Sequence, residues 1–178
     1  VAQNFPSLSI TCSSDVTREF REYERASTTT IAAYVQPVTN AYIARFADSL
    51  SEKGFAGRFS IMQSNGGHLP AEAITNNAVS CLFSGPAAGV NGAIRQAALA
   101  GYKDLITLDM GGTSTDVCVV TDGKADLSSE TEVDGLPIRT PALDIVTVGA
   151  GGGSIVWIDD GGMLRVGPRS AGADPGPA

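Results

Sequence analysis

The stretch that most constrains the fold runs from Leu108 to Val117 and reads LDMGGTSTDV. Apolar, β-branched runs at 105–108 and 117–120 lead into and out of it, which predicts two strands joined by a short turn. The turn combines two glycines with three hydroxyl side chains, and Asp109 and Asp116 bracket it. The composition of this turn therefore decides what the hairpin can do.

Two interpretations of the turn are open at this point. Glycine has no Cβ, so the backbone at Gly111, Gly112, Thr113 and Thr115 could approach phosphate oxygens, and successive amides would form an anion-binding concavity. Asp109 would then hold a hydrated Mg²⁺, since this ion keeps most of its waters and needs few protein ligands. The alternative is a tight hairpin in which glycine and polar residues serve only the turn geometry. The turn is not a P-loop, because no lysine follows the glycines and no helix begins there.

The first third of the sequence predicts a long helix. Ser27–Thr30 offers capping hydroxyls, Gly54 is a plausible stop, and Pro37 predicts a kink or a first turn. Apolar residues at helical spacing predict its buried stripe: Ile31, Tyr34, Val35, Val38, Tyr42, Phe46 and Leu50.

Further elements follow from short patterns. A helix is predicted from Ser84 to about Ala100, with a face of alanines and glycines, and Asp159–Gly162 is predicted to be a hairpin turn. Strands are predicted at Leu8–Cys12, Phe59–Gln63, Lys124–Val133, Asp144–Val148, Ile155–Ile158 and Met163–Val166, and the tail from Gly167 shows no period. The glycine loop at 149–154 is flanked by strands, which favours a loop that faces a ligand over a flexible linker.

Composition narrows the class of protein. The net charge of −7 argues against nucleic acid or an anionic membrane as a partner. The three cysteines, Cys12, Cys81 and Cys118, are far apart and His68 is the single histidine, so neither a disulfide framework nor a zinc site is expected. Cys118 is expected to be a buried thiol. A signal peptide and an apolar run of membrane-spanning length are both missing from the sequence, and we expect a cytoplasmic location.

Six motifs, in this order along nearly the whole chain, resemble the hydantoinase A/5-oxoprolinase family of the actin–hexokinase–Hsp70 superfamily. The resemblance rests on Phe20–Arg25 with Ser27–Thr29, Met62–Gly67, Ser84–Val90, Asp109–Val117, Val148–Ser154 and Gly167–Ala178. The motif at 20–25 is closer to the hydantoinase branch. Family members extend further on both sides, so the resemblance implies an internal fragment.

The resemblance implies an α/β chain with the actin-like ATPase (ribonuclease H-like) fold. Residues 1–103 are expected to form the end of the first lobe, with an interlobe helix, and residues 104–178 the start of the second lobe. The implied function is ATP-dependent hydrolysis of a cyclic amide of the hydantoin or 5-oxoproline class. The alternatives are an ATP-dependent carboxylase subunit of the same family and a non-catalytic nucleotide switch with the same fold.

The site residues implied by the resemblance fall into three groups. Asp109 and Asp116 are the expected catalytic residues, with Asp109 also holding Mg²⁺ or another divalent metal through water. The nucleotide, ATP, is expected to contact Gly111, Gly112, Thr113, Ser114, Thr115, Gly151, Gly152 and Gly153. Substrate is expected near Asn65, Gly66, Gly67, Arg25 and Asp144. A hydantoinase B-type partner subunit is implied as well. Relatives often carry histidine where this sequence has Val146, which puts any role of that histidine in doubt here.

Overall fold

The computed structural model describes residues 4, 5, 8–172, 174, 176 and 177, and it is an α/β structure. The helices are α1 (Ser13–Val16), α2 (Glu22–Glu52), α3 (Ala71–Ile74) and α4 (Ser84–Leu99), and a 3₁₀ turn covers Ala78–Cys81. The strands are β1 (Ser60–Met62), β2 (His68–Pro70), β3 (Leu105–Met110), β4 (Thr115–Thr121), β5 (Lys124–Ala125), β6 (Leu127–Ser128), β7 (Thr131–Val133), β8 (Leu136–Ile138), β9 (Ala142–Leu143), β10 (Ile145–Val148), β11 (Ser154–Ile158) and β12 (Leu164–Ser170). The chain divides into two units, Val1–Ala88 with Leu127–Leu143, and Gly89–Asp126 with Asp144–Ala178. The lobe boundary expected between residues 103 and 104 falls inside the second unit, and the lobe assignment stays a prediction.

The first unit is built around helix α2. One core cluster joins Ala32 of this helix to Val79 and Ile138, and a second joins Ile43 to Ala71 and Ile74. Helix α2 ends as the sequence predicts. Gly54 has a φ of 75° and donates its amide hydrogen to the Ser51 carbonyl, while the Phe55 amide donates to that of Leu50. These two bonds form a Schellman motif.

Two predictions for helix α2 are wrong. The helix begins at Glu22 rather than after the Ser27–Thr30 hydroxyls. Inside the helix, the Thr28 and Thr29 hydroxyls donate to the carbonyls four residues earlier, so they do not cap its start. The predicted apolar stripe is largely exposed, since Tyr34, Val38, Tyr42 and Phe46 are all open to solvent. The helix instead buries its other face, through Thr28, Ala32, Gln36 and Ile43.

The second unit contains an antiparallel sheet with the strand order β10–β4–β3, and β5 pairs with the far end of β4. Cross-strand partners share a face of the sheet, and successive residues of a strand alternate between faces. One face is therefore apolar and exposed, with Ile106, Leu108, Met110, Val119, Val146 and Val148. The other face carries Asp109, Asp116 and Thr147 at one end and the buried Cys118 and Val120 further along. The expectation of a buried Cys118 thiol is confirmed.

Three strand predictions need correction. Residues 124–133 do not form one strand: β5 pairs with β4, β6 with β9, and β7 with β8. Residues 8–12 are not a strand in the described part of the chain. Residues 167–170 belong to β12, so the tail is regular at its start. Strands β10 and β11 and the turn before β12 lie where the sequence predicts them. Among the described residues, no helix combines the length and apolar character needed to cross a membrane.

Candidate functional site

The turn between β3 and β4 is closed by a single backbone bond, from the Gly111 amide to the Ser114 carbonyl at 2.9 Å. Within the described residues, the amides of Gly112 and Thr113 have no acceptor. A Cβ added at Gly112 would meet no atom within 4 Å, and its φ is outside the left-handed region. The turn's own conformation and packing therefore do not require glycine at 112, which leaves open space beside two unpaired donors.

Asp109 and Asp116 are direct cross-strand partners on one face of the hairpin. Neither carboxylate forms an ion pair with a described residue, and like charges directly opposite each other destabilise a strand pair. Asp116 Oδ1 accepts a hydrogen bond from Thr147 Oγ1 at 2.6 Å, which fixes its orientation. Asp109 Oδ2 lies 3.9 Å from the position of a Cβ built on Gly89 of helix α4. The pair is suited to a cation that would cancel its repulsion.

The arrangement fits Mg²⁺ better than a metal that needs a full protein cage. The described residues include no group of three or more metal-binding side chains. Mg²⁺ is commonly held by one or two carboxylates, with waters and phosphate oxygens completing the octahedron. Asp109 and Asp116, next to a turn with unpaired amides, match that requirement.

The Thr115 hydroxyl does not face the aspartates. Thr115 pairs with Met110 and Val148, so the alternation of β4 puts its side chain on the apolar face. It is buried, and its hydroxyl donates to the Ala150 carbonyl at 2.6 Å. Val146, where relatives often have histidine, pairs with Val117 on that same face. A histidine at position 146 would therefore lie on the face opposite to the aspartates.

The glycine loop after β10 lies directly against the turn. The Gly152 amide donates to the Gly111 carbonyl at 2.9 Å, and the Gly153 amide donates to the Gly112 carbonyl at 2.7 Å. The Gly151 amide donates to Ser154 Oγ at 2.8 Å. The loop and the turn thus lie at the same end of the sheet, and all three amides of the loop already have protein acceptors.

The remaining predicted site residues are spread over both units. Arg25 donates to the Glu19 carbonyl at 3.3 Å, and Asn65 Oδ1 accepts from the Gly67 amide at 2.8 Å, both within the first unit. Asp144 belongs to the second unit, where its carboxylate is exposed.

Burial raises the pKa of the Cys118 thiol, and the nearby carboxylates of Asp144 and Asp126 raise it further.

Sequence reasoning missed Thr147 and Gly89 as parts of this site. Thr147 lies in the predicted strand, two residues after Ile145, so alternation puts both side chains on one face. Only the pairing register of the strand with β4 shows that this face carries Asp116. Gly89 belongs to the alanine- and glycine-rich face of helix α4, which the sequence predicts without indicating what packs against it. No local pattern links either residue to the hairpin.

The profile of the Hydantoinase/oxoprolinase family matches residues 25–178, so the chain belongs to that family. Caprolactamase subunit alpha of Pseudomonas jessenii is 40% identical over 97% of the chain and 25% of its own length. 5-Oxoprolinase 1 of Arabidopsis thaliana is 40% identical over 94% of the chain and 13% of its own length. The chain thus spans a quarter or less of these two relatives.

Two solved structures share the α/β fold. ATP-dependent caprolactamase from Pseudomonas jessenii superposes with a TM-score of 0.79 at 40% identity, over 98% of this chain and 25% of the other. Nucleotide-free acetone carboxylase, from a study of ATP-dependent acetone carboxylation, gives a TM-score of 0.75 at 29% identity, over 90% and 22%. Both likenesses extend over almost all of the chain.

Proposed function

We propose that this chain supplies the phosphate-binding part of an ATP-dependent enzyme that hydrolyses a cyclic amide, on an actin-like ATPase fold. The observation that carries the proposal is the β3–β4 turn. It has unpaired amides at Gly112 and Thr113, open space where a Cβ on Gly112 would lie, and a pair of carboxylates that lack a counter-charge. The likeness to ATP-dependent caprolactamase over 98% of the chain supports the same conclusion.

Each group of the turn has a distinct part in the proposal. The Gly112 and Thr113 amides donate to phosphate oxygens, and the missing Cβ at Gly112 leaves room for the close approach. Asp109 and Asp116 hold Mg²⁺, Asp109 through water, with Thr147 orienting Asp116. When bound, MgATP would supply a phosphoryl group to the amide oxygen and release ADP, which would open the amide carbon to attack by water. This chemistry depends on positioning and electrostatics. The protein's task is therefore to fix the phosphates and the metal.

The substrate and partner assignments come from the family and stay predictions. Asn65, Gly66, Gly67, Arg25 and Asp144 are proposed to face the cyclic amide, a small molecule of the hydantoin, 5-oxoproline or lactam class. A hydantoinase B-type partner subunit is proposed because one relative is itself named as a subunit. The cytoplasmic location is proposed with them.

The likeness to acetone carboxylase supports a second candidate, an ATP-dependent carboxylase subunit. Phosphate release by the complete natural polypeptide that carries this sequence separates the two. A hydrolase responds to a panel of hydantoin, 5-oxoproline and caprolactam without bicarbonate, whereas a carboxylase responds to a ketone only when bicarbonate is present. Turnover that no substrate changes would instead point to a nucleotide switch and contradict both enzymes.

A further inference from the structure

The Gly151–Gly153 loop makes contacts that explain why the turn presents its amides outward. We propose that residues 150–153 are a positioning element for the β3–β4 turn, which act through the turn's backbone and not on the nucleotide. This inference rests on the proposed function. It assigns the loop a role different from the direct nucleotide contact that the family resemblance implies.

Two peptide groups of the β3–β4 turn are oriented by the loop. In a trans peptide, the C=O of one residue and the N–H of the next point in opposite directions. The Gly111 carbonyl accepts from Gly152, so the Gly112 N–H points away from the loop. The Gly112 carbonyl accepts from Gly153, so the Thr113 N–H also points away. Neither of these two amides has a described acceptor, and the loop therefore sets the direction of both.

Steric contacts show why the loop needs glycine. A Cβ on Gly151 would lie 2.6 Å from the Gly111 carbonyl oxygen and 2.8 Å from the Ser114 nitrogen. A Cβ on Gly153 would lie 2.9 Å from the Gly112 carbonyl oxygen. Neither glycine has a φ in the left-handed region, so close approach to the turn, and not backbone conformation, demands the missing side chain.

Two further contacts tie the loop down. The Thr115 hydroxyl donates to the Ala150 carbonyl at 2.6 Å, which links the first residue of β4 to the loop. On the other side, the Gly153 carbonyl accepts from the Ala171 amide at 2.8 Å, just after β12. The loop is thus held between the turn and the end of β12, and it transmits that support to the turn.

Amide hydrogen exchange at single-residue resolution tests the inference on the unmodified, complete polypeptide. Without nucleotide, the Gly152 and Gly153 amides should exchange slowly and the Gly112 and Thr113 amides quickly. Saturating MgATP should slow Gly112 and Thr113 by about tenfold or more and leave Gly152 and Gly153 unchanged. If Gly152 and Gly153 become protected only with MgATP, the loop binds nucleotide itself and the inference is overturned. If they are protected throughout but MgATP slows neither Gly112 nor Thr113, the proposed function is what fails.

Substitutions give a second test through steady-state kinetics with MgATP. Gly151→Ala should lower kcat/KM by about 100-fold, because displacement of a positioning group by an ångström has effects of that size. Gly92→Ala in helix α4 is the control, since its Cβ would meet nothing within 4 Å and its φ is ordinary. It should stay close to the parent, and equal losses in the two variants would contradict the inference.

Two substitutions at Thr115 test the positioning role even if Gly151→Ala does not fold. Thr115→Val removes the hydroxyl that bonds Ala150 and should lower kcat/KM for MgATP about fivefold, the equivalent of one hydrogen bond. Thr115→Ser keeps the hydroxyl and should restore the parental value. A Thr115→Val variant with parental kinetics, or a Thr115→Ser variant as impaired as Thr115→Val, would overturn the positioning role.

Discussion

Three β-hairpin turns in the described part of the chain contain a Gly-Gly pair, and they use it in different ways. In the Asn65–Gly67 turn, the Asn65 side chain accepts the Gly67 amide, and Gly66 has a φ of 80°. In the Asp159–Gly162 turn, Asp159 Oδ1 accepts the Gly161 and Met163 amides, and Gly162 has a φ of 78°. Each of these turns uses a side chain to satisfy its own amides and a glycine to adopt a left-handed conformation.

The β3–β4 turn differs in both respects. Neither Gly111 nor Gly112 has a left-handed φ, and no side chain accepts the Gly112 or Thr113 amide among the described residues. The Gly-Gly pair thus provides a left-handed backbone conformation in two turns, whereas in the third it leaves open space beside the turn. We therefore expect a Gly-Gly pair to mark a ligand site only where the turn leaves its own donors unpaired.

The largest expected effect comes from the carboxylates of Asp109 and Asp116, which have no counter-charge. Neither the Asn65–Gly67 turn nor the Asp159–Gly162 turn has such a pair. Asp109→Asn should lower ATP turnover by about 100-fold or more, since a metal-held phosphoryl contact is worth several kcal/mol. The substitution is nearly isosteric and removes one of two opposing charges, so the melting temperature should not fall. Asp134→Asn is the control: Asp134 has a φ of 56°, which asparagine also adopts, and turnover should be parental. Parental turnover in Asp109→Asn would reduce this aspartate to a turn residue.

A smaller effect is expected at the Asn65–Gly67 turn. Asn65→Ala removes the acceptor of the Gly67 amide and should lower the free energy of unfolding by about 1 kcal/mol, measured by denaturant titration. MgATP affinity should not change, and Asn65→Asp, which keeps an acceptor, should recover the stability. Turnover of a cyclic amide should fall as well in Asn65→Ala, because Asn65 is proposed to face that substrate. Unchanged stability would show that the Asn65 side chain does not hold this turn.

The smallest expected effect is the response of the Asp159–Gly162 turn to low pH. The hydrogen bond from the Met163 amide, together with Arg165 and the Gly161 amide, holds the pKa of Asp159 below its usual range. A depressed pKa in the folded state stabilises the turn above the unfolded pKa of about 4, and this contribution is lost as the pH falls through the folded value. The amide chemical shifts of Gly161 and Met163 should therefore be constant from neutral pH to about 4 and change below it. Asp159→Asn should abolish that transition, and a transition that persists in the variant would assign it to another group.

Local pattern predicted much of the second unit. The β-branched runs around the β3–β4 turn, the small-residue helix α4, and strands β10 and β11 lie where the sequence places them. Each of these elements has a clear period or a clear terminator. The candidate site could be located for the same reason, since its motif is continuous in sequence.

Contacts between residues far apart in the sequence determine the features of the fold that local sequence patterns do not predict. The apolar spacing of helix α2 is real, but the core forms on the face of Ala32 and Ile43, so Tyr34 and Val38 remain exposed. The chain after β5 leaves the sheet because Leu127 and Ser128 pair with Leu143 and Ala142, far along the sequence. Similarly, the bonds from the 151–153 loop to the β3–β4 turn join segments about 40 residues apart, and no local rule encodes them.

The most direct test of the central claim compares two glycines of the same unit by isothermal titration with MgATP and by thermal unfolding. A Cβ at either Gly112 or Gly162 would meet nothing within 4 Å, but only Gly162 has a left-handed φ. Gly162→Ala should therefore lose about 1–2 kcal/mol of stability and keep its MgATP affinity. Gly112→Ala should keep its melting temperature and bind MgATP about tenfold more weakly or worse, because the new Cβ occupies the space of a phosphate. Parental affinity in Gly112→Ala would contradict the claim that this turn binds phosphate.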